Sequence, residues 1–326
     1  MRVHRKLGRI KRTLHPIKWV VIEKDETRNK LKMVSKTRFS RKEKMMDSLK
    51  SAIYGLAVGD ALGVPFEFKK RGTFHCEGMT GHGTYNQQAG TWSDDTSMTL
   101  ATCQSIKDKQ GICEKEIRKN FLAWLNTGAF TPDGVVFDCG VTTYEALHRG
   151  TGSRDFHSNG NGSLMRILPL ALIDCTDEEI DAVSAITHAH EISKEACRIY
   201  VTIARSLLAG ENLRSAIQAV ETSEVFERIH ELEYLSEAEI KSSGYVVDTL
   251  EASLWCLLQT DNYQNAVLKA VNLGDDTDTV GAVTGGLAGI LYGYSGIPGE
   301  WIDVLRKKEL IDRSLFSTTQ VFIDVL

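Results

Sequence analysis

The sequence is poor in proline and has no cysteine pair with the spacing of a metal or redox motif. Only 5 of its 326 residues are proline, and its 7 cysteines are scattered without a Cys-x-x-Cys pair. This scatter argues against both a zinc site and a disulfide-stabilised fold. Reduced thiols, as in a cytoplasmic protein, are the simplest interpretation.

A long hydrophobic run is also absent. The segment Thr279–Gly299 carries no charge, but it is rich in Gly, Ser and Thr, and Pro298 interrupts its end. A buried helix is therefore favoured over a membrane span. The apolar stretch at residues 17–23 is too short for a signal peptide and contains a lysine. We expect a soluble globular protein that is cytoplasmic and, by default, monomeric.

Acidic residues are scarce in residues 1–45, and basic residues are the minority of the charged residues in the rest of the chain. Residues 1–45 carry 16 Lys and Arg but only 4 Asp and Glu, whereas the remainder carries 23 basic and 39 acidic residues. We therefore predict a basic N-terminal extension over residues 1–45 and a globular body over residues 46–326. The extension is interpreted as a solvated segment, as a contact for nucleic acid or another polyanion, or as a misassigned start before Met45 or Met46. The acidic body itself opposes nucleic-acid binding.

Helical periodicity runs through residues 46–326, and alternating strand patterns are almost missing. In the first segment Met46, Leu49, Ile53, Leu56 and Ala57 share one helix face. Several later segments end in glycine, which is typical of a helix C-cap. The stretch at residues 178–210 reads as one continuous helical pattern. We predict a single all-α domain of about ten or more helices.

Two aspartate clusters precede predicted helices about 180 residues apart. They are WSDDTSMTL (Trp92–Leu100) and LGDDTDTVG (Leu273–Gly281), and no Lys or Arg occurs at residues 271–305 to balance the second cluster. Each cluster alone is compatible with helix N-capping. If the two helix starts meet in space, four carboxylates converge and require a cation. Oxygen ligands with neighbouring hydroxyls suit Mg²⁺ or Mn²⁺, and their number suffices for two ions.

Glycines follow the second cluster at every fourth position. Gly281, Gly285, Gly289 and Gly293 would line one face of a helix. Glycine inside a helix costs roughly 0.5–1 kcal/mol relative to alanine. We therefore predict that another helix packs very close to this face, with a loose glycine loop as the alternative.

Five sequence motifs follow one another along the chain. They are GLAVGDALGVPFEF (Gly55–Phe68), GTWSDDTSMTL (Gly90–Leu100), GNGSLMRILPL (Gly160–Leu170), THAHEISKEAC (Thr187–Cys197) and LGDDTDTVGAVTGGLAG (Leu273–Gly289). The set, in this order, resembles the ADP-ribosylglycohydrolase family. The resemblance covers residues 46–326 and implies a compact, orthogonal multi-helix domain with a dinuclear Mg²⁺ or Mn²⁺ site in a cleft.

The resemblance also implies the metal ligands. The two ligand triplets of the family correspond here to Ser93, Asp94, Asp95, Asp276, Asp278 and Thr279. Ser93 stands where threonine is frequent and keeps the hydroxyl. Asp275 stands where glycine is common, so we interpret it as a supporting or capping residue.

Catalytic and substrate-binding residues are implied in the same way. Glu67 and Asp95 are the predicted catalytic residues, and the choice of proton-handling group between Glu67 and the metal-site aspartates stays open. The predicted substrate contacts are Asp138, Asn161, Gly162, Ser163 and His188. Without the resemblance, Glu67 would be read as a surface residue and His188 as a buried core histidine. Cys139 replaces the aliphatic residue that usually follows the aspartate.

The implied reaction is metal-dependent hydrolysis of the glycosidic bond at C1″ of ADP-ribose. The expected partner is an ADP-ribosylated protein or a small ADP-ribosyl conjugate. Two alternatives stay open: a hydrolase with the same metal chemistry on another ribosyl or nucleotide substrate, and a non-catalytic ADP-ribose-binding protein. The linkage that is cleaved and the choice between Mg²⁺ and Mn²⁺ cannot be read from the residues.

Overall fold

Helices account for the regular structure of residues 46–317, which are the residues that the computed structural model describes. The predicted basic extension at residues 1–45 lies outside them. The α-helices of the described part are α1 (46–63), α2 (Asp94–Lys109), α3 (Glu114–Thr127), α4 (Val141–Arg149), α5 (Asp177–Ser184), α6 (Glu191–Ala209), α7 (Leu213–Ala219), α8 (Val246–Leu258), α9 (Tyr263–Asn272), α10 (Thr277–Tyr292), α11 (Gly299–Val304) and α12 (Lys308–Ser314). The all-α prediction is confirmed.

Helix ends follow the glycine signals of the sequence. Gly128, Gly150 and Gly210 end α3, α4 and α6 in the left-handed conformation, and the backbone N–H of each donates to a carbonyl of the preceding turn. Short 3-10 segments join the helices, among them Val64–Phe66 and Leu164–Arg166. In residues 46–317, β-type pairing is limited to isolated bridges.

The prediction of one continuous helical pattern over residues 178–210 is wrong. The chain leaves the helical path at residues 185–190, between α5 and α6. Thr176 and Glu179 form a reciprocal capping box at the start of α5, and the His190 side chain accepts from the backbone N–H of Ile192 at the start of α6. These caps make two separate helices and leave residues 187–189 free to enter the interior.

The predicted close packing of the glycine face is confirmed at three of its four positions. A Cβ on Gly281, Gly285 or Gly289 would overlap backbone atoms of α1, at residues 59, 55 and 51 respectively. The α1 helix presents its own glycines, so the two backbones approach without side chains between them. The prediction is wrong for the fourth position, Gly293, because α10 ends at Tyr292 and Gly293 is its C-cap with φ +73°.

One continuous hydrophobic core surrounds this helix pair. The largest buried side chains include Trp92, Trp124, Phe121, Tyr200 and Tyr263. The hydroxyl of Tyr263 donates to the Gly55 carbonyl at 2.6 Å, and that of Tyr200 donates to the Val283 carbonyl at 2.8 Å. Each helix of the pair therefore accepts a hydrogen bond from a buried tyrosine on another helix. Within residues 46–317 no helix combines the length and hydropathy needed to cross a bilayer.

Candidate active site

The first aspartate cluster forms the first turn of α2. Ser93 is the N-cap, and its hydroxyl accepts from the backbone N–H of Asp95 at 3.3 Å and donates to Asp95 Oδ2 at 3.0 Å. Asp94 and Asp95 are 7% and 0% exposed. Since Ser93 performs the capping, neither aspartate is needed for it.

A carboxylate from α1 holds this helix start in place. Asp60 is fully buried and accepts from the backbone N–H groups of Ser93, at 2.9 Å, and Thr96, at 3.0 Å. It also accepts from the Thr96 hydroxyl at 2.6 Å. The positive end of the α2 dipole favours a negative charge at this point. Asp60 thus ties α1 to the segment that carries Asp94 and Asp95.

The second cluster starts α10 and meets the first. Asp276 occupies the N-cap position, but its side chain makes no capping hydrogen bond. The backbone N–H of Thr279 bonds to Asp278 Oδ1 at 2.9 Å, and the Thr279 hydroxyl reaches Asp95 Oδ2 at 3.4 Å. The two helix starts therefore converge, and capping does not explain the aspartates of α10.

Glu67 enters the cluster from the turn that follows α1. The 3-10 segment Val64–Phe66 ends at Glu67, whose side chain is 5% exposed, so the surface interpretation of this residue does not hold. Carboxylate oxygens of Glu67, Asp276 and Asp278 lie within 4.8 Å of one another. Burial first, and then the Asp138 charge, raises the pKa of Glu67 to about 8.

Burial raises the pKa values of the whole group of acids. The pKa values of Asp94, Asp95 and Asp278 lie well above the usual range, first because of burial and then because neighbouring carboxylates repel. Burial raises the pKa of Asp60 to about 6 even though Thr96 and Ser93 donate to it. Within residues 46–317 no Lys or Arg forms an ion pair with any of them.

Several oxygens of this cluster are buried and have no hydrogen-bond partner among residues 46–317. They are Glu67 Oε2, Asp95 Oδ1, Asp276 Oδ1 and Asp278 Oδ2. A buried carboxylate oxygen without a partner is costly, and hard divalent cations prefer this type of ligand. The donor set therefore fits Mg²⁺ or Mn²⁺, and it combines residues from α2, α10 and the turn after α1.

The predicted substrate loop lies beside α10. Asn161 Nδ2 donates to Asp276 Oδ2 at 2.8 Å and to Thr249 Oγ1 at 2.9 Å. A Cβ on Gly162 would overlap the ring of His188 and the hydroxyl of Thr143. Asn161 therefore joins the loop to the carboxylate cluster, and Gly162 lets His188 pack against the loop.

Ser163 and His188 are both deeply buried. The Ser163 hydroxyl is fully buried and accepts from Cys197 Sγ at 3.5 Å, so a ligand could meet only its backbone. His188 is 2% exposed, and burial followed by the Arg166 charge lowers its pKa to about 3. The predicted roles of both residues in substrate binding stay predictions.

Asp138 and Asp275 differ in their position relative to the cluster. Asp138 is partly buried, lies near Asp94, and has a pKa raised by burial and by the Asp276 charge. Asp275 is exposed, with φ +59°. Its backbone accepts from Phe68 N–H at 2.7 Å and donates to the Lys69 carbonyl at 2.9 Å. Asp275 therefore shapes the turn through its backbone and caps no helix.

Two residues of the site were missed from the sequence. Asp60 carried a usable signal, because it is an acid inside an otherwise apolar helix face. Tyr85 carried none, since it ends the short 3-10 segment Gly83–Tyr85, which lies between the first two motifs and belongs to neither. Its hydroxyl lies near the carboxylates of Glu67 and Asp138, and its ring centre lies 5.0 Å from that of Phe137. Tyr85 thus lies beside two acids of the cluster.

Comparisons with known proteins agree with this geometry. The ADP-ribosylglycohydrolase family profile matches residues 41–322. The chain is 35% identical to the ADP-ribosylarginine hydrolase Tri1 of Serratia proteamaculans, with 82% of this chain and 77% of that protein covered. It is 33% identical to the ADP-ribosyl-[dinitrogen reductase] glycohydrolase of Rhodospirillum rubrum, over 80% of this chain and 91% of that protein.

The fold has a solved counterpart as well. A chain of an ADP-ribosylglycohydrolase-related protein complex superposes with a TM-score of 0.73 at 30% identity, over 85% of this chain and 99% of that one. Sequence, fold and the convergent carboxylates thus lead to one assignment: this chain belongs to the ADP-ribosylglycohydrolase family and is a glycohydrolase.

Proposed function

We propose that the protein hydrolyses the C1″ glycosidic bond of ADP-ribosyl groups, with an ADP-ribosylated arginine side chain as the preferred substrate. Two relatives, at 35% and 34% identity, are ADP-ribosylarginine hydrolases, which favours arginine over serine or polymer. The observation that carries the proposal is the cluster of buried carboxylate oxygens without hydrogen-bond partners where α2 and α10 meet.

These oxygens are the proposed ligands of two divalent cations, with Mg²⁺ preferred to Mn²⁺. The ligand residues are Ser93, Asp94, Asp95, Asp276, Asp278 and Thr279, with Glu67 beside them. Bound ions would polarise the hydroxyls of the ribose and lower the pKa of a coordinated water. The buried carboxylates would also stabilise the positive charge that develops on the ribose ring.

Glu67 is the proposed proton-handling group. It combines a buried oxygen without a partner with a pKa raised to about 8, and a general base or acid works best when its pKa lies near the working pH. Glu67 would take a proton from the water that attacks C1″ and return it to the leaving nitrogen of arginine. Tyr85 would orient its carboxylate, and Asp95 is the alternative proton carrier.

Asn161 is proposed to orient the substrate relative to the carboxylates. Its amide bonds to both Asp276 and Thr249, which fixes the loop to two helices at once. The backbone of Gly162 and Ser163 would then approach the diphosphate, since glycine permits close contact with a phosphate group. Asp138 lies near Asp94 and Tyr85.

Release of ADP-ribose from defined conjugates tests the proposal. Purified protein is incubated with ADP-ribosyl-arginine, ADP-ribosyl-serine and poly-ADP-ribose, each with Mg²⁺, with Mn²⁺ or with a chelator. We expect release from the arginine conjugate that depends on the metal. Release from serine or polymer alone would contradict the arginine preference, and no release from any conjugate would overturn the hydrolase proposal.

A further inference from the structure

Arg166 is a fully buried cation without a carboxylate partner among residues 46–317. Its Nε donates to the Gly162 carbonyl at 3.0 Å, and its Nη1 donates to the Val183 carbonyl at 3.3 Å. Its Nη2 donates to Thr187 Oγ1 at 2.7 Å. The guanidinium carbon lies 4.6 Å from the ring centre of Phe121. These contacts give each nitrogen one acceptor but do not neutralise the charge.

A buried unpaired charge is costly unless it has a function or a partner that is still to come. Burial lowers the pKa of Arg166 to about 10, so the side chain remains a cation at neutral pH. Its Nε–H group holds the carbonyl of Gly162, which belongs to the predicted substrate loop. The charge therefore lies directly behind the part of the site where an anionic group of a ligand would be expected.

The hydrogen bonds that start at Arg166 have one consistent direction. An arginine can only donate, so Thr187 Oγ1 accepts from Nη2. The Thr187 hydroxyl then donates its own proton to His188 Nδ1, at 2.8 Å. Among residues 46–317 no other acceptor is found for this hydroxyl. Nδ1 of His188 is thus an acceptor, and in a neutral imidazole the proton then lies on Nε2.

The His188 ring faces the predicted substrate loop. A Cβ on Gly162 would overlap its Cε1, and a Cβ on Gly160 would lie 3.6 Å from its Nε2. Its backbone is held on both sides, because Ser153 N–H donates to the Thr187 carbonyl and Ala189 N–H donates to the Ser153 carbonyl. The ring is therefore fixed, and Nε2 is directed at the backbone of residues 160–162.

We propose that Arg166 and Thr187 form a buried relay that holds His188 as a hydrogen-bond donor through Nε2 to a phosphate oxygen of the substrate. Arg166 and Thr187 are positioning residues in this proposal, and His188 is the group that touches the ligand. The inference rests on the proposed function, because it takes the diphosphate of ADP-ribose as the ligand group.

The first test measures the tautomer of His188 without any substrate. ¹⁵N-histidine-labelled protein is compared with Thr187→Val, which keeps the shape but loses the hydroxyl, and with Thr187→Ser, which restores it. A His188→Gln variant assigns the signal. We expect a protonated Nε2 and an unprotonated Nδ1 in the wild type and in Thr187→Ser, and a mixture of tautomers in Thr187→Val. A proton on Nδ1 in the wild type, or the same spectrum in Thr187→Val, would overturn the relay.

The second test measures binding of ADP-ribose and of inorganic pyrophosphate by calorimetry. Loss of one hydrogen bond to an anionic group corresponds to about a tenfold weaker affinity. We expect this loss for Thr187→Val with both probes and recovery in Thr187→Ser. Unchanged affinity in Thr187→Val would refute the proposal, and loss with ADP-ribose but not with pyrophosphate would refute the phosphate contact. If the wild type binds neither probe, the proposed function fails while the tautomer measurement still decides on the relay.

Discussion

The site combines two buried charge patterns of opposite sign. Within residues 46–317, the carboxylates where α2 and α10 meet have no Lys or Arg partner, and Arg166, behind the substrate loop, has no carboxylate partner. Asn161 lies between the two regions and bonds to Asp276. Arg166 and these carboxylates do not form ion pairs with each other.

The separation indicates what each region is built to bind. An acid cluster that the described residues do not neutralise requires a cation, and a buried guanidinium that they do not neutralise favours an anion. A metal-bound ribose on one side and a diphosphate on the other would satisfy both regions at once. The two regions should therefore respond to different substitutions and different ligands.

The largest effect is expected from removing acids of α10. Asp276→Ala combined with Asp278→Ala removes two partnerless oxygens, and the metal-dependent kcat/KM should fall at least about 1000-fold, since even residues that only support ligands change metal affinity or activity 10- to 100-fold. Release of ADP-ribose and Mn²⁺ binding measure this effect. Asp275→Asn is the matched control, because Asp275 is exposed and asparagine tolerates its positive φ. Full turnover in the double variant would refute the metal site.

A smaller effect is expected when Asp60, which holds the first aspartate cluster in place, is changed. Asp60→Asn places an amide N–H₂ near the backbone donors of Ser93 and Thr96, so the start of α2 should shift. We expect about a 10- to 100-fold loss in metal affinity, measured by calorimetry, in a protein that still unfolds cooperatively. Asp108→Asn, at the exposed far end of α2, is the control. Equal metal affinity in Asp60→Asn and wild type would show that Asp60 does not position the ligands.

A change in the packing of α1 against α10 should affect the carboxylate cluster and leave the substrate loop unchanged. Gly285→Ala forces a Cβ against the Gly55 carbonyl, and overpacking of this kind costs about 1–3 kcal/mol of unfolding free energy. Urea unfolding measures the loss, and the tautomer of His188 should not change. Gly299→Ala is the control, since a Cβ there meets open space. A changed tautomer in Gly285→Ala would show that the two regions are mechanically coupled.

Sequence periodicity predicted the helices of this fold because their apolar faces and glycine caps are local features. It failed at residues 185–190, where the chain leaves the helical path and the His190 cap starts a new helix. The pairing of α1 with α10 was half visible, since the glycines of α10 pointed to a close neighbour but did not identify it. That choice depends on three-dimensional packing.

The sequence predicted the two aspartate clusters of the candidate site, but it did not predict the residues that hold them in place. The clusters of α2 and α10 stood out because their charge had no balance in the sequence. Asp60 was overlooked, although an acid in an apolar helix face was a usable signal. Tyr85 and the chain from Arg166 through Thr187 to His188 depend on contacts between distant segments, which no local pattern reveals.

The last effect is a pH dependence of the stability of the metal-free protein. Burial raises the pKa of Asp60 to about 6 and that of Glu67 to about 8. The folded protein therefore binds more protons than the unfolded chain between the usual and the raised values, so the free energy of unfolding decreases as pH rises through this range. This stability is complete below the usual pKa values and is lost towards the raised ones.

Thermal unfolding between about pH 5 and about pH 8 measures this slope. The more strongly shifted acids, such as Asp278, add to this slope wherever they are protonated in the folded protein and ionised in the unfolded chain. Saturating Mg²⁺ should flatten or reverse the slope, since a metal binds the deprotonated acids and stabilises only the folded state. The Asp276→Ala, Asp278→Ala variant should lack this response. An identical slope with and without Mg²⁺ in the wild type would mean that the buried acids do not share a metal, and the contrast between the two regions would lose its basis.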